Sequence, residues 1–359
     1  MISVLRSWYS RHFSDPQAVI LAISLISGFA IIMFMGEVLT PIIAALVIAY
    51  ALEGLVKRLQ LIKIPRLVAV ISVVALFLFV VLIVFLGLVP LFSKQMAQLF
   101  VELPNMLTKG QQILMALPQQ YPFISDIQIQ ELVASINSQL AAMGKNVVSV
   151  SLASAIDVFT LLVYAIVVPL LVFFFLKDKA VIIQWTLRFL PSREGLASIV
   201  WREVDKKMGN YIRGKLLEVL IVGIATYIPF KLMGINYSAL LSLFVGLSVI
   251  IPYVGAVAVT IPVALIAYFQ WGFESLFFYT MAAYLTVQFL DGNLLVPLLF
   301  SEVVNMHPSA IIVAVLVFGG FWGVWGVFFA IPLATLVQAV INAWPTNQSV
   351  NKPAVAAQD

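Results

Sequence analysis

Between Lys231 and Glu274 the chain carries no charged side chain over residues 232–273. As one straight helix at about 1.5 Å per residue this stretch would extend about 63 Å, roughly twice the 30 Å hydrocarbon core of a bilayer. A single plain helix is therefore excluded. Pro252, Gly255 and Pro262 punctuate the run, so the expected form is helix, break and helix, with pieces near the roughly 10–14 residues typical of half-spanning segments. Apart from His307, a second uncharged stretch follows Glu302 as far as Asn351, interrupted at Gly319, Gly320, Gly323, Gly326 and Pro332. The two share one spacing, Gly246 to Pro252 and Gly326 to Pro332. Paired Gly/Pro-interrupted apolar segments point to a transport site, because carbonyls and half-helix ends freed at a break can replace water around a solute or ion. Pro252, Gly255, Gly323 and Gly326 are accordingly candidate solute-binding positions.

The rest of the chain fits the same solvent. Hydrophobic residues make up 63% and charged residues 10%, against about 45–50% and 25% in soluble domains. The apolar runs are continuous and lack the period-2 alternation of barrel strands, which predicts an all-α polytopic membrane protein. Residues 1–92 should hold three spans, at 18–35, 38–52 and 67–92. The first is too long, and lacks the Ala-x-Ala-like site, for a cleavable signal. Gly36 and Glu37 interrupt the first pair, and Glu53 has Lys57 at i+4 for a helix-surface ion pair.

Residues 93–150 balance three Lys against three acidic groups and are assigned to the periplasm. Leu132, Ile136, Leu140, Met143 and Val147 form an apolar stripe there, and Pro104, Pro118 and Pro122 are expected to break any longer helix. A fourth span lies within 151–176, headed by Asp157, an acidic residue placed to stabilise a helix N-terminus. Residues 177–215 are basic, with an amphipathic stripe through Leu196, Val200, Val204, Met208 and Ile212; they read as a cytoplasmic helical segment. The membrane core then occupies 216–344, its first span at 216–230 flanked by Arg213 and Glu218 as boundary anchors. Residues 345–359 form a disordered tail. Basic residues before 18 and between 52 and 67 put both termini in the cytoplasm, so the net charge of +4 reflects orientation and implies no nucleic acid.

Chemistry is restricted. The chain has no Cys and only His12 and His307, which leaves no cysteine and histidine zinc set, thiolate or disulfide. Zinc-protease, nucleophile-elbow and phosphate-loop motifs are absent from the sequence, so no cofactor, ATP hydrolysis or enzymatic activity is expected. Asp291 ends an apolar run and is followed by Gly292 and Asn293. A carboxylate at membrane depth is costly enough to mark a functional site, and the bland alternative is a helix cap. Glu302 and His307 follow, and with Asp291 they provide a titratable set suited to a proton relay. The aromatics Phe318, Phe321, Trp322, Trp325, Phe328 and Phe329 are expected to pack into neighbouring helices.

Ile-Pro-Tyr-Val-Gly-Ala at 251–256, Asp-Gly-Asn-Leu-Leu-Val-Pro at 291–297, His307-Pro308 and the glycine- and aromatic-rich run at 319–333 together resemble the signature of the autoinducer-2 exporter (AI-2E) family. Ala256 stands where many members have Pro. The resemblance implies an inner-membrane permease of about eight spans, with members credited with autoinducer-2 export or sodium/proton antiport. It marks Asp291, Asn293, Pro252, Gly255 and His307 as motif positions. Membrane lipids, a small solute or ion, and further copies of the chain are the expected partners. The rival reading is a non-transporting scaffold that recruits partners through 93–150 and 177–218.

Overall fold

The computed structural model describes residues 16–120, parts of 125–138, 154–188, 196–300 and 306–343, and every regular element among them is helical. In chain order these are α1 (Pro16–Leu61), α2 (Arg66–Ile83), a π-turn (Val84–Leu88), α3 (Val89–Gln120), α4 (Ser154–Lys177), α5 (Lys179–Leu187) and α6 (Leu196–Met233). There follow α7 (Ser238–Ser248), α8 (Val254–Trp271), α9 (Ser275–Leu290), a second π-turn (Asp291–Leu295), α10 (Val296–Phe300), α11 (Pro308–Phe328) and α12 (Ala330–Ala343). Among the described residues six helical stretches are long and apolar enough to cross a bilayer, namely Val38–Leu61, Arg66–Ala116, Asp205–Met233, Val254–Trp271, Ser275–Phe300 and Pro308–Phe328. The chain is thus an all-α polytopic membrane protein. Around the first π-turn Phe85 and Leu86 are 57% and 66% exposed, which suits a helix bathed in lipid and no helix bathed in water.

Three expectations change. The interruption at Gly36 and Glu37 is a kink at Met35, with φ −115° and ψ 17°, so the two expected spans follow each other within the one element α1. The Thr40 hydroxyl donates to the Gly36 carbonyl at 2.9 Å, a back-bond that bends helices. Second, the helix beginning at Arg66 does not stop near Phe92. It continues through the π-turn to Gln120 with Pro104 and Pro118 inside it. A proline removes one N–H and crowds one carbonyl, which kinks a helix without ending it where water or a side chain serves the freed groups. Thr108 donates to the Pro104 carbonyl at 3.0 Å. The proposed stripe at Leu132, Ile136, Leu140, Met143 and Val147, with Pro122 and the tail 345–359, lies outside the described residues.

Third, α6 is one helix from Leu196 to Met233; the amphipathic segment and the fifth span are in phase and run together. Glycine makes its neighbours possible. A Cβ on Gly214 would stand 2.8 Å from the Phe300 ring, and one on Gly246 would stand 2.8 Å from the Val219 carbonyl and 3.1 Å from Gly223 Cα. α6 and α7 therefore approach backbone to backbone, as small residues allow in membranes.

Three apolar cores follow. Val56, Val70, Val172 and Leu176 join α1, α2 and α4. Val222, Leu241, Val263 and Tyr284 join α6 to α9. Val47, Ile212, Phe300, Phe328 and Ile331 join α1, α6, α10, α11 and α12. Trp322 stacks on Phe329 at 6.0 Å, and Phe328 meets Phe329 edge to face at 4.9 Å. At one end of these cores Glu53 is 5% exposed and faces Arg66 at 3.5 Å and Lys179 at 3.6 Å. The expected surface pair with Lys57 is thus replaced by a tie between three helical segments.

Candidate functional site

α6 carries Tyr211, Lys215 and Glu218 at spacings of four and three, which places them on one face. Burial makes that face unusual: Tyr211 is 1%, Lys215 4% and Glu218 2% exposed. It meets the ends of two helices. A helix end leaves its last carbonyls without intrahelical partners, and here side chains supply them. Lys215 Nζ donates to the Val249 carbonyl at 2.8 Å, at the C-cap of α7. The Tyr211 hydroxyl donates to the carbonyl of Phe328, the last residue of α11, at 2.9 Å.

Both ends are the breaks read from the sequence. After α7 the chain turns through Val249–Tyr253, with Tyr253 at φ +62°, a conformation costing of order 1–3 kcal/mol outside glycine and typical of functional sites. Gly255 then lies against the Ser248 carbonyl so closely that any Cβ would collide with it. Inside α11, Gly323 adopts φ +57° and ψ −137°, and a Cβ on Gly326 would collide with the Phe318 carbonyl. Each break thus folds a glycine back onto the helix before it. Pro332 falls within the first turn of α12, where a missing N–H costs nothing.

Asp291 opens the second π-turn, a distortion that recurs at functional sites. Together with Tyr211, Lys215, Glu218, Pro252 and Gln288 it lines a cavity of about 280 Å³, whose apolar wall includes Ile311 and Ile331. The charges in it are one ammonium and two carboxylates. Lys215 Nζ lies 2.6 Å from Glu218 Oε2 and 5.2 Å from the centroid of the Phe300 ring. Among the described residues Asp291 Oδ1 and Glu218 Oε2 are buried without a hydrogen-bond partner, Glu218 Oε2 facing the Lys215 ammonium as an ion pair. Beside Asp291 the Tyr284 hydroxyl donates to the Ala256 carbonyl at 2.8 Å and receives Gln288 Nε2 at 3.2 Å.

Among the residues singled out from sequence, Asp291 and Pro252 meet at this cavity, and Gly255 forms the turn behind it. Gly323 and Gly326 shape the second break without lining the cavity. Asn293 is exposed and donates to the Phe289 carbonyl at 2.9 Å. His307 is exposed, caps α11 and accepts from the Ser309 amide at 3.3 Å, so it stands apart from Asp291; Glu302 lies outside the described residues. Sequence reasoning missed Lys215 and gave Glu218 the role of a boundary anchor. The correction follows from burial: α6 is one helix through both residues, and packing leaves them only 4% and 2% exposed, where a boundary anchor would face headgroups and water. Their signal was a Lys and a Glu three apart on the helical face that already carried Tyr211.

Comparison with known proteins agrees with this architecture. The profile of the AI-2E family transporters matches residues 21–346. The chain is 48% identical to the Escherichia coli permease PerM over 97% of its own length and 99% of that protein. It is 27% identical to the Bacillus subtilis transport protein YueF, over 86% of this chain and 84% of YueF. With the Escherichia coli AI-2 transport protein TqsA it shares 23% identity over 89% of this chain and 90% of that one. A helical membrane core with two glycine breaks facing one polar helix, matched along nearly all of its length, places this chain in the AI-2E transporter family.

Proposed function

We propose that the chain is an ATP-independent secondary transporter of the inner membrane that exchanges a small cation for protons through the Lys215, Glu218 and Asp291 cavity. The observation that carries this reading is the buried, unpartnered Asp291 Oδ1 on a π-turn between two helix breaks. With one ammonium against two carboxylates the cavity has a formal charge of −1, which favours a cation or proton over an anion. Export of a small neutral solute is the second reading, favoured by the resemblance to TqsA, which is named for AI-2 transport. A scaffold needs neither a break at membrane depth nor a bare carboxylate there.

Purified protein in ATP-free proteoliposomes tests the proposal. An imposed pH gradient is expected to drive accumulation of Na⁺ or K⁺ in protein-containing vesicles above that in empty ones. Cation traces equal to those of empty vesicles, with flux of autoinducer-2 instead, would move the assignment to the second reading. No flux of either would leave the scaffold.

The orientation proposed with this function has its own test. Reporter fusions after Ile62 and Arg193 are expected to report cytoplasm and a fusion near Gln120 periplasm. A cytoplasmic signal at Gln120 contradicts it.

A further inference from the structure

The groups around the Lys215 ammonium form a seat for a monovalent cation. One carboxylate oxygen, from Glu218, lies at 2.6 Å and one carbonyl oxygen, from Val249, at 2.8 Å, with the face of Phe300 at 5.2 Å. The carbonyl belongs to the C-cap of α7, where the helix dipole concentrates negative charge. Freed carbonyls and half-helix C-termini are the backbone groups that hold alkali ions in transporters with broken helices, and an aromatic face within about 6 Å adds attraction for any cation. Lys215 and Glu218 are 4% and 2% exposed, so both charged groups of the seat are buried within the helix packing.

The charge count in the cavity is incomplete. Two carboxylates face one built-in ammonium: Lys215 Nζ lies 2.6 Å from Glu218 Oε2, while among the described residues Asp291 Oδ1 has neither an ion pair nor a hydrogen-bond partner. Both carboxylates line the same 280 Å³ space, and lysine is a point charge on a flexible four-carbon stem. One further positive charge satisfies everything. An alkali ion taking the seat at Glu218 and Val249 sends the ammonium across the cavity to Asp291, after which each carboxylate faces one cation. A second added charge would have no carboxylate left, which limits the site to one monovalent ion.

We infer that Lys215 is a tethered cation occupying the transport seat, and that a single alkali ion binds by displacing it from Glu218 toward Asp291. This inference rests on the cation-exchange reading above and specifies how the Glu218 seat keeps a counter-charge when no ion is bound. It assigns Lys215 the role of internal competitor. The ion-free seat is never an isolated carboxylate at membrane depth, a state that would be strongly destabilising.

Two measurements on the purified full chain test it. In the wild type, reductive methylation of Lys215 is read by mass spectrometry in NaCl, in KCl and in choline chloride at matched ionic strength and pH. Displacement into the cavity is expected to raise modification of Lys215 severalfold in one of the alkali salts relative to choline, while exposed lysines such as Lys231 stay unchanged. Equal modification of Lys215 in all three salts overturns the inference. The second compares thermal stability of Lys215→Met with that of the double variant Lys215→Met, Glu218→Gln. The single variant keeps the seat and loses its competitor, so alkali salt is expected to raise its melting temperature over choline by more than in the wild type. The double variant lacks the seat carboxylate and should show no such excess. A single variant that responds no more than the double one also overturns the inference, and the methylation result stands alone if either variant does not fold. Wild-type vesicles that move cations while Lys215 is insensitive to salt would remove the tethered cation alone. Salt-sensitive Lys215 without any cation flux would keep the seat and remove the transport reading.

Discussion

Alanine at Gly255 and Gly326 together is expected to abolish transport while leaving a membrane-inserted protein. At both positions the added Cβ collides with a backbone carbonyl, of Ser248 in the first break and Phe318 in the second. A carbonyl cannot rotate away as the end of a side chain can, so the break itself must open. Overpacking of this kind costs about 1–3 kcal/mol per site, and each 1.4 kcal/mol is roughly a factor of ten in an equilibrium. Insertion is governed by the apolar runs, which the substitutions leave intact. Flux is another matter, because the carbonyls that Lys215 and Tyr211 reach, those of Val249 and Phe328, lie within these turns. Shifting either turn moves a group in contact with α6. The check is flux in proteoliposomes at matched incorporation, with membrane fractionation as the control. Wild-type flux would make the breaks architectural only. Gly323→Ala should act in the same direction, since φ +57° with ψ −137° is a conformation that an L residue rarely adopts.

The breaks were legible where glycine and proline cluster, at Gly246 to Pro252 with Gly255 and at Gly323 to Pro332. A lone proline is no such signal, since Pro262, expected to punctuate the run, lies inside α8, as Pro41, Pro169 and Pro229 lie inside α1, α4 and α6. Asp291 was legible as a charge at the end of an apolar run. The sequence did not disclose that the two breaks face one helix. Helix-to-helix contact depends on the tertiary approach of Gly223 to Gly246 and Gly214 to Phe300, and glycine in a membrane helix carries no label of its neighbour. Lys215 and Glu218 were passed over because basic and acidic residues near the end of a hydrophobic window read as boundary groups. α6 extends well upstream of that window, and tertiary packing that no window displays leaves both residues under 5% exposed. Prolines misled in the opposite direction at Pro104 and Pro118, where the local breaking tendency does not end the helix, which continues through both to Gln120. The Glu53 and Lys57 spacing likewise suggested a local pair, whereas burial of Glu53 between α1, α2 and α5 gives it Arg66 and Lys179.

The central claim is that the Asp291 carboxylate changes its charge partner during the transport cycle. Asp291→Asn keeps the size and much of the hydrogen-bonding capacity of the side chain but cannot ionise. It removes one of the two carboxylates, so Lys215 and Glu218 balance each other and no further positive charge is called for. A capping role predicts the reverse outcome, since Asn caps a helix about as well as Asp; Asp291→Glu, which retains the charge on a longer arm, should keep part of the activity. The most direct measurement is a pH series of gradient-driven cation uptake in proteoliposomes, comparing wild type with Asp291→Asn at matched protein incorporation. The account predicts pH-dependent uptake by the wild type and uptake at the level of empty vesicles by Asp291→Asn at every pH. An Asp291→Asn protein with wild-type uptake across the series would contradict it.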